Sequence, residues 1–334
     1  MGQIGVYGNR GANFVLQNAD TLIVLGSRLD NRQRSGNSAN FANGARVHVI
    51  DIDIEELRKY QLDGYATTCM DLALLPELLS RLKAPAPNNI WLDYVHELKS
   101  RYFGRDISTF AARMNSISPY QVVQRINAYV DQDAMVAVDT GATVCWVHQM
   151  FHRTRHLVMT AGGHSPMGYA LPAAIGAAIR APHRSAVCCI GDGGFQLNIQ
   201  ELQTIRYYGL DVKIVVFDNN GYGIIRQFQD SYLHGRYEAS EKGYGVPDLA
   251  KIAQAYDLDY AFVERIEDLT PALFSTRGAR VIHVKLHPNT LIEPRLEMGR
   301  PINDQFPYLS DAEYAAANRF VAYPRPGPSR RLPS

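Results

Sequence analysis

The sequence contains no apolar run long enough to cross a lipid bilayer. Segments such as Thr21–Leu25 and Lys213–Phe217 are largely apolar, but each has the length of one β-strand, far below the ~20 residues of a spanning helix. The N-terminal residues also lack the basic and apolar regions of a secretory signal. We therefore expect a cytoplasmic protein without a membrane partner.

An excess of charge of one sign and paired cysteines are missing as well. The chain has 34 Lys and Arg residues against 33 Asp and Glu residues, which gives a net charge of +1 and argues against nucleic acid as a partner. The cysteines form no CxxC pair, so we expect buried thiols in a reducing compartment rather than disulfides. They are Cys69, Cys145, Cys188 and Cys189.

The length and the order of predicted elements indicate more than one α/β domain. The 334 residues exceed one small domain and suggest two. In the first part, predicted strands at Thr21–Leu25 and Arg46–Ile50 alternate with helices, and Asp53 is placed to cap the helix after it. We interpret residues 1–83 as a partial Rossmann-like central domain, and residues 84–117 as a linker and connecting helix.

A longer alternation predicts a doubly wound parallel sheet in residues 118–287. In such sheets ligands bind beyond the carboxyl ends of the strands. Within it, Asn198 and Glu201 predict a capping box at the start of a helix. Residues 288–334 are expected to form a C-terminal extension, disordered after about residue 323 because they are rich in proline. The predicted strands are Ala134–Val138, Leu157–Thr160, Ala186–Ile190, Val212–Phe217, Tyr260–Val263 and Ala279–Leu286.

The most informative stretch joins two neighbouring strands of this alternation. One strand is followed by Gly191-Asp192-Gly193-Gly194, and the next ends in Asp218-Asn219-Asn220. The glycines let backbone N–H groups approach an anion closely. Carboxylate, amide and carbonyl oxygens, together with phosphate oxygens, form the octahedral site that Mg²⁺ prefers. The paired loops therefore predict a magnesium diphosphate site, and the alternative is a glycine-rich turn in which Asp192 only caps a helix.

This paired motif resembles that of the thiamine-diphosphate-dependent enzymes, and the chain resembles their acetolactate synthase-like family from its first residues to about Pro307. The resemblance implies a thiamine-diphosphate-binding fold in residues 118–287, preceded by part of a central domain. The further stretches that carry it are Phe195–Thr204, Gly162–Ala177, Gly26–Asp30, Val49–Asp53 and Gly299–Pro307.

The resemblance also implies roles for individual residues. Asp192 and the Asn219 side chain would bind Mg²⁺, with the Gly221 carbonyl as a third protein ligand. Met167 would be the apolar wedge beneath the cofactor, and the Ser165 carbonyl would hold the cofactor's 4′-amino group. Tyr222 is either a pocket residue or only a loop aromatic. The residues expected around the diphosphate are Thr140, Gly141, Ala142, Thr143, Gly191, Gly193 and Gly194.

The activity implied by the resemblance is decarboxylation of a 2-oxo acid, with pyruvate as donor, followed by carboligation to a second carbonyl compound. Two positions depart from acetolactate synthases. Val144-Cys145 stands where those enzymes carry a Gln-His pair, and Phe228 stands where they place a tryptophan that selects the acceptor. These departures favour another acceptor, such as a keto-sugar nucleotide, over branched-chain amino-acid synthesis.

Family members also need a glutamate on a pyrimidine-binding domain, and no part of this sequence resembles that domain. We therefore expect the isolated chain to bind Mg²⁺–thiamine diphosphate weakly and not to turn over, and a homo-oligomer or a partner chain to complete the site. The alternative is a non-catalytic remnant or a regulatory partner. Many family members hold FAD in the central domain, and Asp51 and Asp53 resemble ribose-binding acids, although Asp53 as a helix cap is the simpler interpretation.

Overall fold

The structure is a computed structural model that describes residues 1–83, 86–103, 116–323 and 325. These residues fall into two compact units. The first unit contains the described residues of Met1–Asp106 and Glu293–Arg330, and the second contains those of Ile107–Ile292. The predicted linker, residues 84–117, lies partly outside the described residues.

The strands of the first unit are β1 (Thr21–Leu25), β2 (Arg46–Asp51) and β3 (Ala66–Cys69). The helices that precede the second unit in the chain are α1 (Arg10–Asn18), α2 (Asn31–Arg34), α3 (Ile54–Gln61), α4 (Leu75–Ser80) and α5 (Asn89–Tyr102). The strands form a parallel sheet in the order β1-β2-β3. The sequence pattern predicts β1 and β2 but not β3. Asp53 caps α3 as predicted, because its carboxylate accepts the N–H of Glu55 at 3.0 Å.

The strands of the second unit are β4 (Met135–Val138), β5 (Leu157–Met159), β6 (Ala186–Gly191), β7 (Val212–Asp218), β8 (Asp259–Val263) and β9 (Arg280–Lys285). They form a six-stranded sheet in the order β5-β4-β6-β7-β9-β8, and all pairs are parallel. The predicted α/β fold with a parallel sheet is confirmed.

The central strands of this sheet are buried on both faces. Every residue of β7 is buried, and β6 is buried as far as Ile190. Their largely apolar sequences suit a sheet covered by helices on both sides. Lys213 of β7 is buried too, and its Nζ is satisfied by the carbonyl oxygens of Thr276 at 2.7 Å and Gly278 at 2.6 Å.

The helices of the second unit are α6 (Pro119–Tyr129), α7 (Ala142–Met150), α8 (Ala170–Arg180), α9 (Asp192–Leu197), α10 (Leu202–Tyr208), α11 (Gly223–Tyr232), α12 (Leu249–Ala255) and α13 (Ala272–Ser275). The sequence pattern does not predict α7 and α11. The predicted capping box of Asn198 and Glu201 is wrong, because the side chain of Asn198, which stands between α9 and the helical turn Ile199–Glu201, accepts no capping N–H. Asn198 makes no cap and instead donates its side-chain N–H to the carbonyl of Gly168 at 2.9 Å.

The strand order places a topological switch point between β4 and β6. From β4 the chain crosses to β5 on one side, and it then returns to form β6 on the other side of β4. The loops that leave β4 and β6 therefore separate and open a crevice between them. Ligands of doubly wound sheets bind in this crevice.

The described residues after Ile292, within the predicted C-terminal extension of residues 288–334, belong to the first unit. Arg10, buried in α1, donates to the carbonyl oxygens of Gln305 at 3.0 Å and Pro307 at 2.7 Å. The segment after Ile292 thus provides hydrogen-bond acceptors to a guanidinium whose residue is only 2% exposed. It ends in α14 (Asp311–Ala317) and the residues that follow. Of the residues after 323, for which we predicted disorder, only Arg325 is described.

Within the described residues, no helix combines the length and the apolar character that a membrane crossing requires. The four cysteines are free thiols. Cys145, Cys188 and Cys189 are buried as predicted, whereas the prediction is wrong for Cys69. Cys69 is exposed because it ends β3, an outer strand of the small sheet.

Candidate functional site

Three loops meet at the carboxyl ends of β4, β6 and β7. A Cβ atom at Gly191 would lie 3.5 Å from Oγ1 of Thr143, and a Cβ atom at Gly223 would lie 3.9 Å from that of Ala142. The start of α7 therefore lies beside both the end of β6 and the start of α11. The first N–H groups of a helix lack intrahelical partners and carry partial positive charge, so this meeting point attracts an anion.

The four residues predicted after β4 form one continuous turn at this point. Thr140 and Gly141 make the turn, and Ala142 and Thr143 begin α7. Gly141 has a φ of 80°, which glycine adopts without the steric penalty of a side chain. The turn is therefore tight enough to bring the start of α7 to the edge of the sheet.

Asp192 is the first residue of α9, and its carboxylate joins two of the loops. Oδ1 accepts the N–H of Gly193 at 3.0 Å, and Oδ2 accepts the N–H of Gly221 at 3.1 Å. Asp192 is 2% exposed. Burial and the negative charge of Asp218 raise the pKa of Asp192 to about 7, although hydrogen bonds from Gly193 and Gly221, and the nearby hydroxyl of Tyr244, act in the other direction, and no ion pair within the described residues includes Asp192. A buried carboxylate in this state gains most from a cation that contacts it directly.

Asp218, the last residue of β7, is in the opposite electrostatic state. Its Oδ2 is hydrogen-bonded to Nε2 of His283 at 2.8 Å and accepts from Nζ of Lys285 at 2.9 Å. Burial opposes ionisation of Asp218, but these donors outweigh it and hold the pKa of Asp218 well below its usual range. Side chains of β9 thus neutralise Asp218, and Asp192 remains the acid without a counterion.

The turn after β7 holds the other two predicted metal ligands, Asn219 and Gly221. Asn219 is 4% exposed, and its amide nitrogen is buried without a hydrogen-bond partner. Asn220 has a φ of 53°, in the left-handed region that asparagine tolerates, and this turns the N–H of Gly221 toward Asp192. A buried amide without a partner costs free energy, so Asn219 is a side chain held ready for a ligand.

Asp139, at the end of β4, is a site residue that the sequence analysis missed. Asp139 is buried, and its Oδ1 accepts the N–H of Thr140 at 2.8 Å while both oxygens accept the N–H of Gly168. A Cβ atom at Gly194 would lie only 2.0 Å from Oδ2 of Asp139. One carboxylate thus packs against three loops, and burial raises the pKa of Asp139.

The loop before α8 carries Ser165 and Met167. Ser165 has a φ of 52°, and its N–H donates to the carbonyl of Ala161 at 2.8 Å, which closes a tight turn. Met167 is 37% exposed. Because Gly168 is held by Asp139, the neighbouring Met167 is an exposed apolar side chain on an anchored backbone. It is available to contact a ligand.

Two tyrosines pack on the backbone of Gly193. The rings of Tyr222 and Tyr244 meet edge to face, with 4.7 Å between their centroids. A Cβ atom at Gly193 would lie 2.4 Å from the ring of Tyr222 and 3.2 Å from the hydroxyl oxygen of Tyr244. Burial and the charge of Asp192 raise the pKa of Tyr244. The sequence analysis singled out Tyr222 but missed Tyr244, which lies in a loop without a motif.

Phe228 lies apart from the predicted metal ligands. It is on α11, it is 47% exposed, and its ring contacts that of Tyr232 at a centroid distance of 4.8 Å. The structure therefore brings together the loops after β4, β6 and β7 but leaves Phe228 further along a helix that starts at them.

Two family models match the chain. Residues 139–284 match the model of the thiamine pyrophosphate enzyme C-terminal TPP binding domain, and residues 1–73 match that of the thiamine pyrophosphate enzyme central domain. The first match includes all three loops that meet at the switch point. The chain belongs to the thiamine pyrophosphate enzyme family. The family predicted from the sequence is thereby confirmed.

Curated members of this family that are similar to the chain are acetolactate synthase large subunits. That of Cyanidium caldarium is 34% identical over 291 residues, which cover 84% of this chain and 49% of the relative. That of Porphyra purpurea is 33% identical over 331 residues, covering 96% and 55%. The isozyme 1 large subunit of Escherichia coli strain K12 is 31% identical over 304 residues, covering 90% and 53%. The chain thus spans about half the length of these relatives.

The side chains of this member of the thiamine pyrophosphate enzyme family fit a magnesium diphosphate. Among the described residues, no group of three or more His, Cys, Asp or Glu side chains could hold a metal. A metal at Asp192 would therefore need amide, carbonyl and phosphate oxygens, which are the ligands of Mg²⁺. The carboxylate of Asp192 and the amide oxygen of the buried Asn219 side chain meet that requirement, while the unpaired amide nitrogen of Asn219 is a donor that suits a phosphate oxygen.

The two acids considered for FAD serve the start of α3 in the first unit. Asp51 accepts the N–H of Asp53 at 2.9 Å, and Asp53 caps the helix. These local hydrogen bonds account for both side chains.

Proposed function

We propose that the second unit binds thiamine diphosphate through Mg²⁺, and that the complete protein decarboxylates a 2-oxo acid and joins the retained fragment to a second carbonyl compound. The observation that carries the proposal is Asp192, a buried carboxylate without a counterion that already bridges the loops after β6 and β7. A cation bound by Asp192, the amide oxygen of Asn219 and the carbonyl of Gly221 would remove this imbalance.

The remaining loop residues would position the cofactor. The turn of Thr140 to Thr143 offers the first N–H groups of α7 to the diphosphate. Met167, on a backbone anchored by Asp139, would support the thiamine ring system. When bound, thiamine diphosphate supplies the electron sink that makes loss of CO₂ from a 2-oxo acid possible.

The similarity to acetolactate synthases supports pyruvate as the donor and carboligation as the second half of the reaction. Phe228 is exposed on α11, where a ring can contact an acceptor. The acceptor in this proposal differs from that of branched-chain amino-acid synthesis, because Phe228 and Val144-Cys145 depart from the residues of acetolactate synthases.

The reaction requires a glutamate on a pyrimidine-binding domain, and we propose that a longer form of this chain, a second copy in a homo-oligomer or a partner chain supplies it. The coverage of about half of each relative supports this division. Without that domain we expect weak cofactor binding and no turnover.

The metal site is tested by titrating the purified chain with thiamine diphosphate in the presence and absence of Mg²⁺. We expect Mg²⁺-dependent binding that Asp192→Asn reduces at least tenfold, about the effect of losing one charge-assisted ligand. Asp257→Asn is the matched control, because Asp257 lies in the same unit in an exposed ion pair with Arg206. Equal binding by wild type and Asp192→Asn would refute the metal site.

The reaction is tested by CO₂ release from pyruvate with a pyrimidine-binding domain added in trans or fused to the chain. We expect release only when that domain carries its glutamate. Robust release by the purified chain alone would contradict the division of the active site. Tight cofactor binding without release in any combination would favour a non-catalytic role.

A further inference from the structure

We propose that Tyr244 is a further binding residue of this site, and that its hydroxyl donates a hydrogen bond to an oxygen of the Mg²⁺-bound diphosphate. The inference rests on the function proposed above. It adds to the site a side chain from the loop after α11.

The hydroxyl of Tyr244 is buried and makes no hydrogen bond of good geometry, although it lies close to the carboxylate of Asp192, and burial together with that carboxylate raises its pKa. A phenol is protonated at neutral pH, so this group is a donor that faces the proposed metal ligand Asp192 without a well-formed bond to it. It lies beside the backbone of Gly193, since a Cβ atom there would be 3.2 Å from the hydroxyl oxygen. The donor therefore adjoins the residue that follows Asp192.

Hydrogen bonds to α11 hold the loop of Tyr244 in place. Ser240 accepts the N–H of Tyr222 on its carbonyl at 3.2 Å, and its hydroxyl donates to the side chain of Gln229. Gln229 in turn donates to the carbonyl of Glu238 at 2.9 Å. With the ring of Tyr222 packed against that of Tyr244, the hydroxyl is positioned before any ligand binds.

The acceptor within reach of this hydroxyl is the carboxylate of Asp192, and a buried donor that is poorly paired in the ligand-free fold gains from a new acceptor. The carboxylate of Asp192 already accepts from Gly193 and Gly221. A diphosphate bound through Mg²⁺ would bring new anionic oxygens to this place, and hydrogen bonds to charged acceptors are the stronger ones.

The test compares Tyr244→Phe with wild type, using Mg²⁺ with inorganic pyrophosphate and Mg²⁺ with thiamine diphosphate as separate probes. The variant keeps the ring and removes only the hydroxyl. We expect both probes to bind about tenfold more weakly. We expect the thermal midpoint of the ligand-free protein to stay unchanged or to rise, which a structural hydroxyl would not allow.

Tyr237→Phe is the matched control, because Tyr237 lies in the same loop and its hydroxyl donates to Asp230 at 2.8 Å. It should leave the affinity for both probes unchanged. If Tyr244→Phe binds both probes as wild type does, or if it lowers the ligand-free midpoint without changing affinity, the inference is overturned and the proposed function stands. If wild type binds neither probe, the proposed function itself fails.

Discussion

Both carboxylate oxygens of Asp139 accept the backbone N–H of Gly168, at 3.1 and 2.9 Å. This pair joins the end of β4 to the loop that carries Met167. Asp139 thus sets the position of Met167 through the backbone of the next residue, Gly168.

Asp139→Asn tests this relationship. The amide must present a donor where the carboxylate presents an acceptor, so we expect a loss of about 1–3 kcal/mol in the free energy of unfolding. Binding of thiamine diphosphate should weaken severalfold, whereas Mg²⁺–pyrophosphate should bind nearly as before, because Asp192, Asn219 and Gly221 are unchanged. Equal weakening of both ligands, measured by calorimetric titration, would contradict the assignment of Met167 to the thiamine ring system.

Gly194→Ala should displace the carboxylate of Asp139, because Gly194 packs directly against it. The added Cβ atom would lie 2.0 Å from Oδ2 of Asp139, and overpacking of this kind costs roughly 1–3 kcal/mol or more. Gly162→Ala makes the same change in the loop before α8, where no atom lies within 4 Å of the new Cβ. In thermal denaturation, the midpoint should fall clearly for Gly194→Ala and hardly at all for Gly162→Ala. Similar midpoints would contradict the close packing of Gly194 against Asp139.

The stability of the second unit should fall in acid because of His148 on α7. Burial, with a smaller effect of Arg153, lowers the pKa of His148 to about 4, below the value near 6.5 of an unfolded chain. Protonation therefore favours the unfolded state. The free energy of unfolding is unaffected by this group above pH ~6.5, and it decreases by up to about 3 kcal/mol as the pH falls toward ~4.

His148→Gln should flatten this part of the pH profile of the unfolding free energy. His183→Gln, at an exposed histidine of the same unit, serves as the control and should leave the profile unchanged. A profile that keeps its slope in His148→Gln would show that another group is responsible.

His283 should contribute to stability through Asp218. His283→Leu removes a hydrogen bond from a buried carboxylate, and we expect a loss of about 1–3 kcal/mol at neutral pH. Tyr260→Phe removes only the bond of 2.8 Å to the other ring nitrogen of His283 and should cost less. Urea unfolding of both variants compares the two losses in the free energy of unfolding. A greater loss in Tyr260→Phe would contradict the stabilising role of the hydrogen bond between His283 and Asp218.

Strands that are marked by a local run of apolar residues could be predicted from the sequence. The buried strands β6 and β7 are largely apolar, and their positions agree with the prediction within a residue. β3 has four largely exposed residues and offers no such run. α9 begins inside a glycine-rich stretch that favours a loop, and only its packing against the sheet makes it helical.

The candidate site could be predicted only where a motif exists. Asp192 and Asn219 stand in paired loops after neighbouring strands, so their type and position were informative. Asp139 and Tyr244 are single residues, and nothing local distinguishes them from any other acid or aromatic. Their proximity to Gly194 and Gly193 depends on the strand order and on the path of a loop, which one sequence does not contain.

The reversal of strand order between β4 and β6 has a consequence for how this protein can change over evolution. The two crossovers leave the crevice in opposite directions. The turn of Thr140 to Thr143 and the loop of Asp192 meet where the anion would lie, so neither can be lengthened without disturbing that place. A new acceptor is more readily accommodated away from this meeting point, at exposed positions of α11 such as Phe228, while the anion-binding loops are inherited intact.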